Sequence, residues 1–186
     1  MLNIIVKSIL AGIVISLGCC MYLLAPNPII GAILFSCGLL CVRIYKLNLF
    51  TGKIQFMISE RYKWWYYPLV LLFNIVGALF MAIITSNLTY DATAPIAIAK
   101  TTQSLIIAFS KGVCCGMLMS LATYEKSPLW MCLLCVPGFI LAGFNHCIAD
   151  AYYALAGLKI GFPFIATICG NIFGGILLSG VYMGES

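Results

Sequence analysis

The chain has 186 residues, of which 63% are hydrophobic and only 8% charged, with a mean hydropathy of +1.11; a soluble domain carries roughly 25% charged residues. That balance excludes a soluble globular protein and reads as an integral membrane protein. Most basic residues behind the net charge of +5 stand in or near connections between apolar runs, so it is mostly an orientation signal rather than a nucleic-acid-binding surface.

Residues 8–42, 64–90, 127–149 and 160–183 carry no formal charge, and each run exceeds the ~18–20 residues a helix needs to cross a hydrocarbon core. Divided at their turn signals, the runs give six predicted spans. The first covers 4–24 and is closed by Pro26 and Pro28, and the second covers 29–48. A break follows at Leu49-Phe50-Thr51-Gly52-Lys53, then a short amphipathic piece, Ile54–Ser59. The third span, 66–86, starts near Pro68 and leads to a connection holding the Asn87-Leu88-Thr89 sequon, expected to face outward, with Asp91 and Lys100. The fourth span is 104–124. The fifth, 128–158, is long enough to be broken, and Gly143 to Asp150 marks the break; the sixth is 163–183. Proline near a helix start costs little, because the missing N–H would have no helical partner there.

Lys46, Lys53, Arg61 and Lys63 cluster near the connection between spans 2 and 3 and Lys126 lies in the connection after span 4, whereas the opposite connections hold Asp91, Lys100 and Lys159. This asymmetry puts both termini in the cytoplasm of a multi-pass protein of the cell (inner) membrane. One transmembrane domain, 1–186, accounts for the whole chain, and the lipid bilayer is its first partner.

Backbone that leaves the helix at membrane depth must face protein or a water-filled cavity. Two broken spans therefore suggest one cavity. The halves also echo each other: Asn74-x-x-Gly77 lies in span 3 and Asn171-x-x-Gly174 in span 6, each the third helix of a three-helix set whose second member is broken. An odd number of helices per set forces the copies into opposite orientations, the inverted-repeat plan of many transporters and channels. The fold class expected is thus all-α, six transmembrane helices as two inverted three-helix repeats.

Ten cysteines, including Cys132-x-x-Cys135, all fall inside predicted spans. A membrane-embedded pair without an extramembrane exchange partner is poor redox chemistry, and a lone histidine is poor zinc chemistry. They read as packing residues; no cofactor and no metal is expected, and no enzymatic activity.

The segments Phe35-Ser36-Cys37-Gly38-Leu39-Leu40, Leu49–Gly52, Phe73–Ala78, Lys111-Gly112-Val113-Cys114-Cys115, Gly143-Phe144-x-His146 and Gly170–Gly175 stand in an order and spacing that resembles the formate/nitrite transporter family of pentameric, aquaporin-like anion channels. The resemblance covers nearly the whole chain. It implies a homopentamer that passes small monovalent anions of weak acids, with transient protonation near a central histidine. Position by position, it implies that His146 is the pore histidine and Thr51, in the loop breaking span 2, its hydrogen-bonding neighbour. Leu39, Leu49 and Phe50 match the cytoplasmic-side constriction, Phe35 and Phe139 the periplasmic-side one, and Lys100 the lysine near the outer vestibule. Asn145 stands where the family usually has Glu, Asp150 where it has Asn, and Gly116 where it has Asn; Arg43 and Lys46 stand where it is generally apolar or small.

His146 is the single histidine and Asp150 one of five acids. On a continuous helix they would share a face and the carboxylate could hold the imidazole as a cation. On a broken segment Asp150 would cap the resumed helix, and the cap is the expectation. Arg43 and Lys46 are expected to snorkel toward headgroups. Gly52, Asn74 and Asn171 are assigned to the breaks and their packing. Two rival functions stay open at this point: a non-transporting structural or regulatory relative, and a membrane thiol oxidoreductase using Cys132 and Cys135.

Overall fold

Helix boundaries follow the local chemistry of the chain. The computed structural model describes residues 1–59 and 61–183, the last four of these by backbone alone. The first helix, α1 (Leu2–Leu24), stops where Ala25 turns extended before Pro26, as the residue before a proline must. Asn27 then caps α2 (Pro28–Ile44), its Oδ1 accepting from the Ile30 N–H at 3.0 Å. After α2 come a single turn, α3 (Phe50–Lys53), and a 3-10 turn, Ile54–Phe56. The remaining helices are α4 (Tyr66–Thr102), α5 (Leu105–Thr123), α6 (Met131–Leu141), α7 (Cys147–Ala156) and α8 (Pro163–Met183). Ser104 caps α5 by accepting from the Ile107 N–H. No strand occurs among the described residues. By length and composition α1, α4 and α5 can each cross a membrane, and α2, α6 and Pro163–Ser179 are shorter apolar helices.

Both expected breaks are present, with shifted borders. Span 2 leaves the helix at Tyr45–Leu49, so Thr51 and Gly52 belong to the first turn of α3 and not to a loop. Span 5 leaves it at Ala142–His146. The two exits are built alike. The Leu47 N–H returns to the Val42 carbonyl and the Lys46 N–H to that of Arg43; the Phe144 N–H returns to Phe139 and the Gly143 N–H to Ile140. This paired closure requires a left-handed residue just past the helix. Lys46 (φ 51) supplies it in one half and Gly143 (φ 68) in the other, the glycine at no steric cost.

The re-entry points are also built alike. Asn74 on α4 accepts from the Phe50 N–H at 2.8 Å and donates to the carbonyls of Ser8 and Asn48. Asn171 on α8 accepts from the Cys147 N–H at 2.8 Å and donates to those of Gly112 and Asn145. The Asn48 N–H meets the Lys7 carbonyl, as the Asn145 N–H meets that of Lys111. Each asparagine, buried to 1% exposure or less, thus satisfies backbone groups that the break frees in an apolar medium. The brackets reach across because α1 and α5 carry glycine at the contact: a Cβ on Gly12 would overlap the Asn74 carbonyl, and one on Gly116 would lie 2.5 Å from that of Asn171.

Span 3 differs most from the sequence reading, since α4 continues for sixteen residues past the expected end at 86. The polar residues that suggested a connection instead lie on a helix face. Thr85, Thr89, Thr93 and Ala97 recur every four residues and are buried. The threonines donate back to carbonyls of their own helix, and Thr85 and Thr89 also meet the Tyr152 hydroxyl on α7 at 2.8 and 3.0 Å. Asn87 and Asp91 are exposed on the opposite side of this helix, whereas Thr89, the third residue of the sequon, is buried against Tyr152, so the sequon as a whole does not face outward. Gly77 and Gly174 pack against the Ile9 and Val113 carbonyls within the chain, so their small size serves intrachain helix contacts.

Candidate functional site

Two cavities approach each other along α2. One, of about 260 Å³, is lined by Phe35, Phe139, His146, Lys100, Lys111 and Asp150, among others. The other, of about 640 Å³, is lined by Leu49, Gly52 and Arg43 with Lys46, Lys53, Arg61 and Glu125. Phe35 and Arg43 lie two helical turns apart, about 12 Å along the axis. The side chains packed between the cavities include apolar ones, Leu39 and Leu49 each 1% exposed and Phe50 2%, and a polar contact stands beside them.

That polar contact joins Thr51 Oγ1 and His146 Nε2, at 2.9 Å, with both residues 1% exposed. The two breaks create it. His146 is the N-cap of α7 and its Nδ1 accepts from the Ala149 N–H at 3.2 Å. A neutral imidazole accepting at Nδ1 carries its proton on Nε2, so Thr51 Oγ1 accepts from it and keeps its own hydroxyl proton to donate elsewhere. Phe139 stacks on the imidazole with ring centroids 5.6 Å apart and meets Phe35 edge-on at 5.9 Å. A planar group that passes this ring pair thereby reaches the histidine.

Lys100 enters the smaller cavity from the unexpected continuation of α4. Its Nζ donates to Asn145 Oδ1 and to Asp150 Oδ1, both at 2.8 Å. Asn145 is fixed in turn by donating to Gln103 Oε1 and Thr167 Oγ1. Asp150 is therefore not the cap that the sequence suggested, nor a partner of His146. The resumed helix begins at Cys147, and the Asp150 N–H already donates to the His146 carbonyl, which leaves the carboxylate one turn along, facing Lys100.

Arg43 does not snorkel either. Its guanidinium donates to the carbonyls of Tyr124, Ser127 and Pro128 at 3.2, 2.6 and 3.2 Å, closing the end of α5 and the loop after it. A fork of five donors suits that task where a single ammonium would not. Lys46 is exposed at the rim of the larger cavity. Arg61 pairs with Glu125 at 2.8 Å, a contact that raises the guanidinium's pKa, and lies over the Phe56 ring. Sequence reasoning assigned no role to Lys111, Gln103, Tyr153 or Thr167, which stand around the smaller cavity or its asparagine. For Lys111 the available signal was a charge inside an otherwise apolar span.

The ten cysteines are free thiols, and the buried Cys132 donates to the Ala122 carbonyl at 3.7 Å. Among the described residues no group of three or more His, Cys, Asp or Glu side chains is placed to hold a metal.

Comparison with known proteins gives a consistent result. A family model described as formate/nitrite transporter matches residues 1–184. The nitrite transporters NirC of Salmonella typhimurium and Escherichia coli are each 29% identical to the chain, over 95% of it and 80% of their own length. A solved FNT family ion channel superposes with a TM-score of 0.84 at 24% identity, covering 100% of this chain and 90% of that one. A pentameric formate channel with formate bound gives 0.81 at 20% identity, over 98% and 95%.

Proposed function

The chain belongs to the formate/nitrite transporter family, a membrane-spanning transport protein and not an enzyme, and from that premise we propose that it moves small monovalent anions of weak acids: nitrite, formate, hydrosulfide or a short carboxylate. The observation that carries the proposal is the Thr51–His146 contact, a buried polar contact beside the apolar side chains that wall off two cavities lined by cations.

An anion leaving water for that wall loses its hydration, and the apolar rings return nothing for it. Protonation removes most of the barrier. Lys100 and Lys111 at one cavity, and Arg43, Lys46, Lys53 and Arg61 at the other, raise the local anion concentration. Phe35 with Phe139, and Leu39 and Leu49 with Phe50, are the two hydrophobic rings. Between them the Thr51 hydroxyl, which accepts from the Nε2–H of His146, donates its own proton to the substrate, and the Nε2–H turns to the substrate where the threonine releases it. The anion takes its proton from the water of the smaller cavity, passes both rings as the neutral acid with a hydrogen bond from the His146–Thr51 pair between them, and returns the proton to water beyond the second ring.

The matched brackets of Asn74 and Asn171 support two inverted three-helix repeats, with six spans forming one aquaporin-like domain over 1–186. The cations around the larger cavity, set against the positive-inside rule, support its opening to the cytoplasm of an inner-membrane protein with cytoplasmic termini. The resemblance to a pentameric channel supports five copies, each with its own pore. Purified protein in liposomes, tested for flux of formate, nitrite, hydrosulfide, acetate and lactate, decides the matter. Uptake of at least one of them above that of empty vesicles is expected; no uptake of any would make the chain a non-transporting relative.

A further inference from the structure

An acid in the mouth of an anion pathway needs a reason. Asp150 lies in the first turn of α7, one turn beyond His146, and its side chain is 6% exposed while that of its partner Lys100 is 24% exposed. Both residues line the cavity that holds His146, and both also line a crevice of about 20 Å³ on the other side, with Gln103, Thr167 and Lys159. The ion pair therefore forms part of the partition between cavity and crevice. Asp150 and Asn145 engage two of the three ammonium protons of Lys100. The charged groups around the pair are Lys111 from α5 and, across the crevice, Lys159; Tyr22 and Tyr153 also line the cavity.

An unopposed ammonium in a narrow, partly dry cavity would hold an anion by a short, charge-assisted hydrogen bond. A conducting site must also let go. Resting on the anion-channel reading above, we propose that Asp150 is a positioning residue that competes with the transported anion for Lys100. The anion takes the ammonium by displacing the Asp150 carboxylate, and the carboxylate reclaims it when the anion moves on to His146. Asn145, anchored by Gln103 and Thr167, keeps the ammonium in place during the exchange. Asp150 thus sets how long an anion stays without touching the step at the histidine.

Nitrite serves as the probe, with equilibrium binding measured by calorimetry on detergent-solubilised protein and saturation of flux measured in liposomes. Asp150→Asn is expected to bind nitrite about tenfold more tightly, because the freed charge-assisted donor now serves the ligand alone. Its flux should saturate at a correspondingly lower concentration and at a lower maximal rate. A merely structural carboxylate would lower the maximal rate and leave the half-saturating concentration unmoved. In a Lys100→Met background the effect of Asp150→Asn on affinity should shrink to less than about twofold, since the coupling runs through the lysine. Should the amide variant fail to assemble, Asp150→Ser carries the same expectation. Unchanged or weaker nitrite binding in whichever variant folds overturns the inference, as does tightening that persists without Lys100. The binding arm reports on Asp150 even if the parent shows no flux, an outcome that would instead count against the transport reading.

Discussion

Replacing Asn171 by leucine tests how the break in span 5 holds its histidine. The side chain makes three hydrogen bonds of 2.8 Å, from the Cys147 N–H and to the carbonyls of Gly112 and Asn145, at 1% exposure. Gly112 is internal to α5, so its carbonyl keeps the helical bond of its own turn. The Cys147 N–H, at the start of α7, and the Asn145 carbonyl, in the extended link, lose a partner that no helix replaces. Hydrogen bonds inside membrane proteins average about 0.6 kcal/mol and reach about 1.7, while a buried group left unsatisfied costs about 1–3 kcal/mol. Two such groups and a third weakened contact give a loss of about 3–7 kcal/mol. Leucine regains little of it, because lipid is as apolar as the site it fills. Resistance of the solubilised protein to denaturing detergent should fall accordingly. Flux should fall further than stability alone predicts, because the two orphaned groups flank His146 on either side. Asn74→Leu should cost a similar amount through Phe50 and Asn48. A leucine variant at 171 that is as resistant as the parent and transports at its rate would sink the bracket argument, since among the described residues no other hydrogen bond ties Cys147 to α8.

His146→Ala should abolish flux, and His146→Asn should keep a part of it if hydrogen-bond donation alone suffices; transport by the parent should quicken as external pH falls toward the acid's own pKa, because the neutral species grows about tenfold per unit. Equal flux in all three chains across pH would remove the histidine from the mechanism. Gly116→Ala places a Cβ 2.5 Å from the Asn171 carbonyl, so α5 and α8 must part; a lower melting temperature is expected, against little change for an alanine at the exposed Cys169. Arg43→Met removes three hydrogen bonds to the end of α5 and its loop, each worth about 1.5–3 kcal/mol with a charged donor; limited proteolysis should then cut near Ser127, and a loop as resistant as the parent's would show that the clasp is dispensable.

Much of the architecture was legible because hydrophobic length and turn residues act locally. The breaks in spans 2 and 5 were visible as glycine and polar residues at membrane depth, and Asn74 and Asn171 were visible as polar residues three positions before a glycine. Their partners were not, since Phe50, Cys147 and the α1 and α5 carbonyls are brought to them by tertiary packing. The extension of α4 was missed for a related reason. Thr85, Thr89 and Thr93 lower hydropathy as a loop would, but their hydroxyls are spent on their own helix and on Tyr152, so the stretch is polar in composition and helical in fact.

That missed extension governs the electrostatics of the smaller cavity. With span 3 ending at 86, Lys100 falls in a connection where it can only draw anions from a distance, and Asp150 is left to cap a helix. With α4 running to Thr102, the ammonium stands on the face that packs against α7, and one turn of α7 places the carboxylate against it at 2.8 Å. The Lys100 ammonium at that cavity is therefore not free but already engaged. On the proposed reading, an arriving anion finds a donor it must win from an internal rival, while Lys111 on α5, in no ion pair among the described residues, supplies the positive charge that draws it in. Attraction and retention are then carried by different lysines on different helices, so a substitution at Lys111 should alter how fast anions arrive and its dependence on salt, and one at Asp150 how long they stay.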